Sequence, residues 1–270
     1  MEQAAKPELM RKNLGLKMIR RANSIGHHYF IANLTSKDIA SSVALAVNEK
    51  HGIWYNPMTG EYHEAAIGDK DIQLNLKSGE SRILITSNKP VNEWKLGSNV
   101  KVGGKEAIAA ADSKTIDLTG NTWKLSFTED APKVGETFNL KGLKSWEGLS
   151  DKAKVMMGTG VYETTIKLSK DDAKKQWAID LGDVRESARV YINGEYVGCA
   201  WAVPYILNCQ DKLVKGKNTL RIEVTNLPAN RIAEMDRQGV KWRKMKEINV
   251  VDINYKKTTY ENWTPVPSGL

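Results

Sequence analysis

Residues 188–198 carry the strongest signal for the fold and read Ala-Arg-Val-Tyr-Ile-Asn-Gly-Glu-Tyr-Val-Gly. β-Branched and aromatic side chains flank Asn193-Gly194 on both sides. This dipeptide is typical of a two-residue type I′ turn, because both turn positions need a positive φ, which Asn and Gly tolerate. The sequence therefore predicts a β-hairpin whose register is fixed by its turn.

Further strands are predicted on both sides of this hairpin. In residues 219–225 the apolar side chains occupy every second position, and residues 177–182 repeat the pattern. Alternate side chains of a strand point to the same face, so each strand buries one face and exposes the other. A set of this kind suits a jelly-roll sandwich. The predicted strands lie near 122–128, 155–168, 176–181, 188–192, 195–199, 205–209 and 219–225.

The first part of the chain carries its own set of short apolar runs. Turn-forming residues at 23–26, 56–60 and 77–80 separate them. Except between 53–55 and 72–76, the connections are shorter than the dozen or so residues that a parallel crossover needs, so we expect an antiparallel sandwich. The predicted strands lie at 16–19, 29–34, 43–47, 53–55, 72–76 and 83–85.

Length and composition fit two globular domains. The chain has 270 residues, of which 41% are apolar and 27% charged, enough apolar material for a core in each domain. We predict an all-β chain of two antiparallel β-sandwich modules. Residues 1–88 form the first module with a short N-terminal stub, and 89–117 form a linker whose alanine-rich part at 106–112 favours a helical turn. Residues 118–270 form the jelly roll with a basic C-terminal tail, helical around 233–245.

The net charge of +8 lies at the two ends of the chain, because residues 1–21 and 231–258 contribute +4 each and the body between them is neutral. A nucleic-acid groove needs clustered Lys and Arg on the folded body, beside aromatic residues or a known motif. We therefore expect no nucleic-acid partner. No apolar run approaches the roughly 18 residues of a membrane helix, and the N-terminal residues lack a signal-peptide core, so no membrane partner is expected.

Metal-binding motifs are incomplete. His63-Glu64 begins like a zinc-protease helix, but Ile67 stands where the second histidine is needed. His27 and His28 are adjacent, so on one strand they point to opposite faces and do not grip one metal together. We expect no metal site and no cofactor.

Two other patterns favour structural roles. Gly158-Thr159-Gly160 lacks the third glycine of a dinucleotide loop, and it is interpreted as a strand entry where one backbone approaches another. Cys199 and Cys209 are too few for a disulfide framework; one disulfide and two buried free thiols both remain open.

The carboxylates do not nominate a catalytic pair. Glycoside hydrolysis uses two carboxylates that flank the sugar. Asp180, Asp183, Glu186 and Glu195 lie on or beside exposed strand ends, where charged side chains serve solubility. We therefore assign no catalytic residue.

Aromatic and amide side chains point to carbohydrate instead. An aromatic ring stacks on the apolar face of a pyranose while amides and guanidinium groups bind its hydroxyls. Trp201 and Tyr205 lie in a predicted loop, and Asn226, Asn230 and Arg231 follow the last clear strand. These five residues are the candidate carbohydrate-binding set. The alternative is that Trp201 closes one end of the sandwich and Asn226 caps a strand.

Four runs of the second module resemble a known domain. They are Gly-Thr-Gly-Val-Tyr at 158–162, the run from Asp180 to Gly198, Trp-Ala-Val-Pro-Tyr at 201–205, and the run from Gly216 to Leu227. Together they resemble the sugar-binding, galactose-binding-like jelly roll of family 2 glycoside hydrolases. With 28–33, 56–60 and 76–85 placed before them, the order is similar to the C-terminal region of bacterial family 106 α-L-rhamnosidases, large secreted enzymes of polysaccharide degradation.

The resemblance implies a non-catalytic accessory portion of such an enzyme, either carbohydrate-binding or structural. In that family the catalytic carboxylates and a calcium site belong to an upstream barrel, so the implied partners are carbohydrate and that catalytic barrel domain or chain. Some family 2 members have an acid in the loop that here reads Cys-Ala-Trp-Ala-Val at 199–203. No catalytic residue is therefore carried over.

Two alternative functions stay open. One is a complete or split-gene glycoside hydrolase that cleaves rhamnosides, which a nitrophenyl rhamnoside assay would reveal. The other is a purely structural protein-interaction domain, for which the neighbouring reading frame would name the partner. The expected compartment is periplasmic or extracellular for a part of the parent enzyme, and cytoplasmic if Met1 is the natural start.

Overall fold

The computed structural model describes residues 6–58, 60–68, 71–94, 101–102, 114–209, 212–243, 254 and 258–270. Within these residues the chain consists of β-strands in antiparallel sheets with few helices, so the predicted all-β fold is confirmed. The chain divides into two compact units, residues 1–115 and 116–270. The finer division into module, linker and jelly roll stays a prediction.

The first unit is a six-stranded sheet with a two-stranded sheet. The order in the larger sheet is β1-β2-β7-β4-β5-β8, and β3 pairs with β6. Its pairs are antiparallel except for β5 with β8. The elements are α1 (Leu9–Leu14), β1 (Lys17–Ala22), β2 (Gly26–Ala32), β3 (Ile39–Ala44), β4 (His51–Tyr55), β5 (Glu61–Glu64), β6 (Asp71–Leu76), β7 (Ser81–Ser87), a 3₁₀ turn (Val91–Glu93) and β8 (Lys101–Val102).

Alternation along β6 produces the core of this unit. Ile72, Leu74 and Leu76 are buried while the residues between them are exposed. They join Tyr29 of β2 and Leu84 of β7 in one apolar cluster. The strand predicted at 72–76 is therefore confirmed, and it buries one face.

The second unit pairs a six-stranded sheet with a two-stranded sheet. The order in the larger sheet is β10-β9-β11-β16-β13-β14, and β12 pairs with β15. The elements are β9 (Thr122–Ala131), β10 (Phe138–Lys141), a 3₁₀ turn (Trp146–Gly148), α2 (Asp151–Val155), β11 (Met157–Leu168), a 3₁₀ turn (Asp172–Lys174), β12 (Ala178–Asp180), β13 (Ser187–Ile192), β14 (Glu195–Ala200), β15 (Ile206–Asn208), β16 (Gly216–Thr225) and α3 (Ala229–Arg237).

The core of the second unit forms along β16. Leu220, Ile222 and Val224 are buried and belong to one apolar cluster. Ile222 lies between Tyr162 of β11 and Val190 of β13, its partners across the sheet. Burial of this face of β16 stabilises the unit by about 25 cal/mol per Å² of apolar surface removed from water.

The predicted hairpin is confirmed at its turn. Asn193 has φ 53° and Gly194 has φ 85°, the positive values that a type I′ turn requires. The Asn193 amide also donates to Lys212 O at 2.9 Å, and its Oδ1 accepts from Thr219 N–H at 2.9 Å. The turn residue thus fastens the hairpin to the start of β16.

Close approach explains the glycines at 158 and 160. A Cβ on Gly158 would lie 2.8 Å from Asp130 Cα, as the interpretation of a backbone contact requires. A Cβ on Gly160 would lie 2.4 Å from Cζ2 of Trp146, whose indole is fully buried. Gly158 therefore leaves room for the backbone of Asp130, and Gly160 leaves room for the ring of Trp146.

The structure decides two smaller predictions, and a third concerns residues outside the described ones. The tail helix is α3, which ends at Arg237 because Gln238 is followed by Gly239 at φ 66°; it thus begins and ends earlier than the predicted 233–245. The helical turn at 106–112 lies outside the described residues. Both cysteines are free; Cys209 is buried and its pKa is raised to about 11 by that burial, whereas Cys199 is half-buried.

Candidate functional site

Two loops meet at one end of the second unit. Residues 182–186 connect β12 to β13, and residues 201–205 connect β14 to β15. The N–H of Leu181 donates to Tyr205 O at 2.9 Å, and Val184 is anchored in the core. Pairing of β12 with β15 therefore brings together two loops that are distant in sequence.

Trp201 provides the exposed aromatic surface of this site. It follows the last residue of β14, and 63% of its surface is exposed. Trp123 and Trp146, by contrast, are buried in the core, and Trp177 packs against its edge. An exposed indole on a loop held at both ends by strands presents a flat apolar face to solvent, which suits stacking on a sugar ring.

Charged groups surround Tyr205. Burial, followed by the charges of Glu186 and Asp183, raises the pKa of the Tyr205 phenol, so it stays protonated and able to donate a hydrogen bond. The Arg185 guanidinium pairs with Asp183 at 2.8 Å, and that hydrogen bond raises the pKa of Arg185. Tyr205 therefore lies near the exposed Asp183–Arg185 ion pair, and Trp201 begins the same loop as Tyr205.

Asn226 contacts the chain itself. Its Oδ1 accepts from Gly158 N–H at 3.0 Å, and its Nδ2 donates to Met156 O at 3.0 Å and to Ser268 Oγ at 3.2 Å. The side chain is buried. These contacts fasten the start of β11 to the C-terminal residues.

Asn230 has a similar set of contacts. Its Nδ2 donates to Val266 O at 2.9 Å, and its Oδ1 accepts from Val266 N–H at 2.8 Å. Arg231, next to it on α3, is half-buried and lies near Glu234, whose pKa is lowered chiefly by a hydrogen bond from Arg237 and slightly by Arg231. The two asparagines therefore bind residues 266–268, while Trp201 and Tyr205 lie on the loop at 201–205.

The segment 266–270, here called the strap, connects these asparagines to the loop at 182–186. Arg185 N–H donates to Gly269 O at 3.0 Å, and Trp146 N–H donates to Ser268 O at 3.0 Å. Gly269 has φ 98°, and a Cβ there would lie 2.4 Å from Tyr162 Oη. The strap thus holds the Arg185 backbone in place. Sequence reasoning missed Arg185 because only the pairing of β12 with β15 brings it near Tyr205.

Two cavities of the first unit lack a catalytic pair of carboxylates. One, of about 520 Å³, is lined by Trp54, Arg82 and residues of β3 and β6, and the other, of about 470 Å³, has Glu64 as its carboxylate. Glycoside hydrolysis needs two carboxylates.

In the described part of the chain, no three His, Cys, Asp or Glu side chains are grouped to hold a metal ion. Nor is any described helix long and apolar enough to cross a membrane.

A comparison with protein families identifies the kind of domain that the second unit resembles. Residues 150–266 match the family described as glycosyl hydrolase 2 galactose-binding domain-like. This part of the chain is therefore a galactose-binding-like domain related to glycoside hydrolases.

Individual proteins extend this likeness beyond the matched domain. The chain is 28% identical over 209 residues to a Formosa agariphila protein named "Putative beta-glucuronidase", a match covering 70% of this chain and 18% of that protein. It superposes on a rhamnosidase from Novosphingobium sp. PP1Y with TM-score 0.66 and 21% identity, covering 94% of this chain and 23% of the other. The second likeness shows the fold alone. The chain thus spans less than a quarter of the length of either protein.

Proposed function

We propose that the chain is a non-catalytic accessory portion of an α-L-rhamnosidase-like glycoside hydrolase, related to the C-terminal region of family 106, that binds carbohydrate beside a catalytic barrel. One observation carries the proposal: the structural match to a rhamnosidase covers 94% of this chain. The family match at 150–266 supports the same context.

In this proposal Trp201 is the platform and its neighbours are the polar contacts. The indole stacks on the apolar face of a pyranose, because this contact removes the C–H groups of the sugar from water. The Tyr205 phenol donates to a sugar hydroxyl, while Asp183 accepts from hydroxyls and Arg185 donates to them. Asn226 and Asn230 act through the strap, which positions the backbone of Arg185.

The charged groups of the site suit binding better than bond cleavage. A general acid for glycoside hydrolysis needs a raised pKa. The Asp183 carboxylate is 69% exposed and paired with Arg185, so it is not enclosed in an apolar pocket as a general acid is. We therefore assign cleavage to a separate catalytic barrel, as the implied partner.

The Trp201→Ala variant tests the proposal. Isothermal titration with rhamnose-containing oligosaccharides should show saturable binding by the unsubstituted chain and weakening of about tenfold or more by the variant, since about 1.4 kcal/mol of lost stacking is tenfold in affinity. Tyr196→Ala removes another exposed aromatic, on β14, and should leave binding unchanged. Equal affinity of Trp201→Ala and the unsubstituted chain, or no binding of any such glycan, would refute the proposal.

A further inference from the structure

A cavity of about 470 Å³ in the first unit, here called the β4–β5 cavity, brings together polar side chains from three segments. The start of β4, the end of β5 and the 3₁₀ turn after β7 contribute to its lining, whose polar members are Lys50, His51, Glu64 and Asn92. Its volume lies within the range of about 300–1,000 Å³ that is usual for small-molecule sites. The cavity is therefore large enough for one small ligand.

Strand pairing places two of these side chains on one face of the sheet. Glu64 of β5 pairs with Ile53 of β4, and His51 precedes Ile53 by two positions, so His51 and Glu64 share a face. Diagonal neighbours of this kind are about 7–8 Å apart, within reach of one ligand between them. The pairing continues beyond β5, because Ala65 N–H donates to Gly52 O at 2.9 Å.

Hydrogen bonds fix the wall that the 3₁₀ turn forms. The indole N–H of the buried Trp94 donates to Lys89 O at 2.8 Å, and its backbone N–H donates to Val91 O at 3.0 Å. Glu93 N–H donates to Pro90 O at 3.0 Å. A wall that is in place before a ligand arrives lowers the entropy cost of binding.

The polar side chains of the cavity are available to a ligand. In the part of the chain that the structure describes, none of the four makes a hydrogen bond or an ion pair with another residue. Glu49, just before them in the sequence, is by contrast occupied by His27 and Thr86. The cavity thus offers a carboxylate that accepts, an ammonium that donates, and an amide and an imidazole that do both.

Charge and polarity indicate which ligand fits. Among side chains that are charged at neutral pH, Lys50 and Glu64 line the cavity, one of each sign. The exposed Lys89 and Glu93 beside the lining add one more of each sign. The balance favours neither an anion nor a cation, whereas mixed donors and acceptors suit hydroxyl groups, which donate and accept.

We propose that the β4–β5 cavity binds an uncharged pyranose. Glu64 accepts from the sugar hydroxyls, while Lys50 and Asn92 donate to them. The half-buried side chains of Ile67 and Val91, also in the lining, contact the C–H groups of the ring. This site goes beyond the proposed function, which places sugar at the loop 201–205, and the choice of a sugar among hydroxyl-rich ligands rests on the carbohydrate context of that function.

Histidine NMR of the full chain tests this inference, because the chain has four histidines and His51 is the one that lines the cavity. With carbon-13 in the imidazole rings, the His51→Gln variant assigns the His51 signal. The neutral probes are L-rhamnose and D-galactose, and D-galacturonate and D-galactosamine are the charged counterparts of the second. At least one neutral sugar should shift the His51 signal saturably and leave that of His28, on β2, unchanged. Neither charged counterpart should bind more tightly than the neutral sugar.

Variants assign the site. Glu64→Gln should weaken binding about tenfold, because a carboxylate accepts stronger hydrogen bonds than an amide does. Glu93→Gln changes an exposed neighbour outside the lining and should leave the affinity unchanged. Thermal melting confirms that each variant is folded. Trp201→Ala should leave the His51 shift intact, so failure of the loop site and failure of the cavity are distinguishable.

Three results would overturn the inference. The first is an unshifted His51 signal with both neutral sugars. The second is tighter binding of a charged counterpart, which would contradict the choice of an uncharged ligand. The third is equal affinity of Glu64→Gln and the unsubstituted chain, which would place the sugar outside the β4–β5 cavity.

Discussion

The Ile222→Asp variant should not form a folded second unit. Ile222 is 1% exposed and lies between the buried side chains of Tyr162 and Val190. An aspartate there loses the apolar contacts and places a carboxylate among the apolar side chains of this core. We expect the free energy of unfolding to fall by about 4 kcal/mol or more. This loss is a large part of the roughly 5–15 kcal/mol by which an ordinary domain is stable.

Thermal unfolding followed by circular dichroism measures this effect. Thr219→Asp on the same strand is the matched control, because Thr219 is exposed and its cost should stay below about 1 kcal/mol. An unaltered melting curve for Ile222→Asp would contradict the assignment of the buried face of β16.

The Asn226→Ala variant should lose stability through its hydrogen bonds. It removes the acceptor of Gly158 N–H and the donor to Met156 O and Ser268 Oγ. Because Asn226 and Ser268 are buried, water does not readily replace these bonds. We expect a loss of about 2–4 kcal/mol in the free energy of unfolding.

Urea unfolding of this variant separates two roles for Asn226. The exposed Asn139→Ala is the control and should change stability by less than about 0.5 kcal/mol. If Asn226→Ala instead keeps full stability and loses affinity for glycan, the residue contacts sugar directly, and its assignment to the strap is wrong.

Short-range chemistry made much of the second unit predictable from sequence. Asn193-Gly194 specifies its turn because few other dipeptides accept two positive φ values. Alternation at 219–225 specifies the buried face of β16, since one side of that strand meets water. Strand β10 was missed because four residues with two apolar positions give little signal above a loop.

The site is only partly predictable because its neighbours are set by tertiary contacts. Trp201 stands out as an aromatic residue in a loop, and the structure exposes it. Asn226 and Asn230 look the same in sequence as sugar-binding amides, yet residues 266–268, about 40 positions later, take their hydrogen bonds. Asp236 likewise accepts from the Trp242 indole N–H and from Tyr260 N–H. Hydrogen bonds between residues so far apart in the chain leave no pattern in the local sequence.

Saturation-transfer difference NMR with a rhamnose-containing oligosaccharide shows whether the chain holds glycan without cleaving it, because one sample reports both binding and cleavage. We expect transfer from the protein to ring protons of the sugar, weakened in Trp201→Ala, and an oligosaccharide spectrum that is unchanged after overnight incubation. Absence of transfer, or the appearance of free reducing-end rhamnose, would contradict a chain that holds glycan without cleaving it.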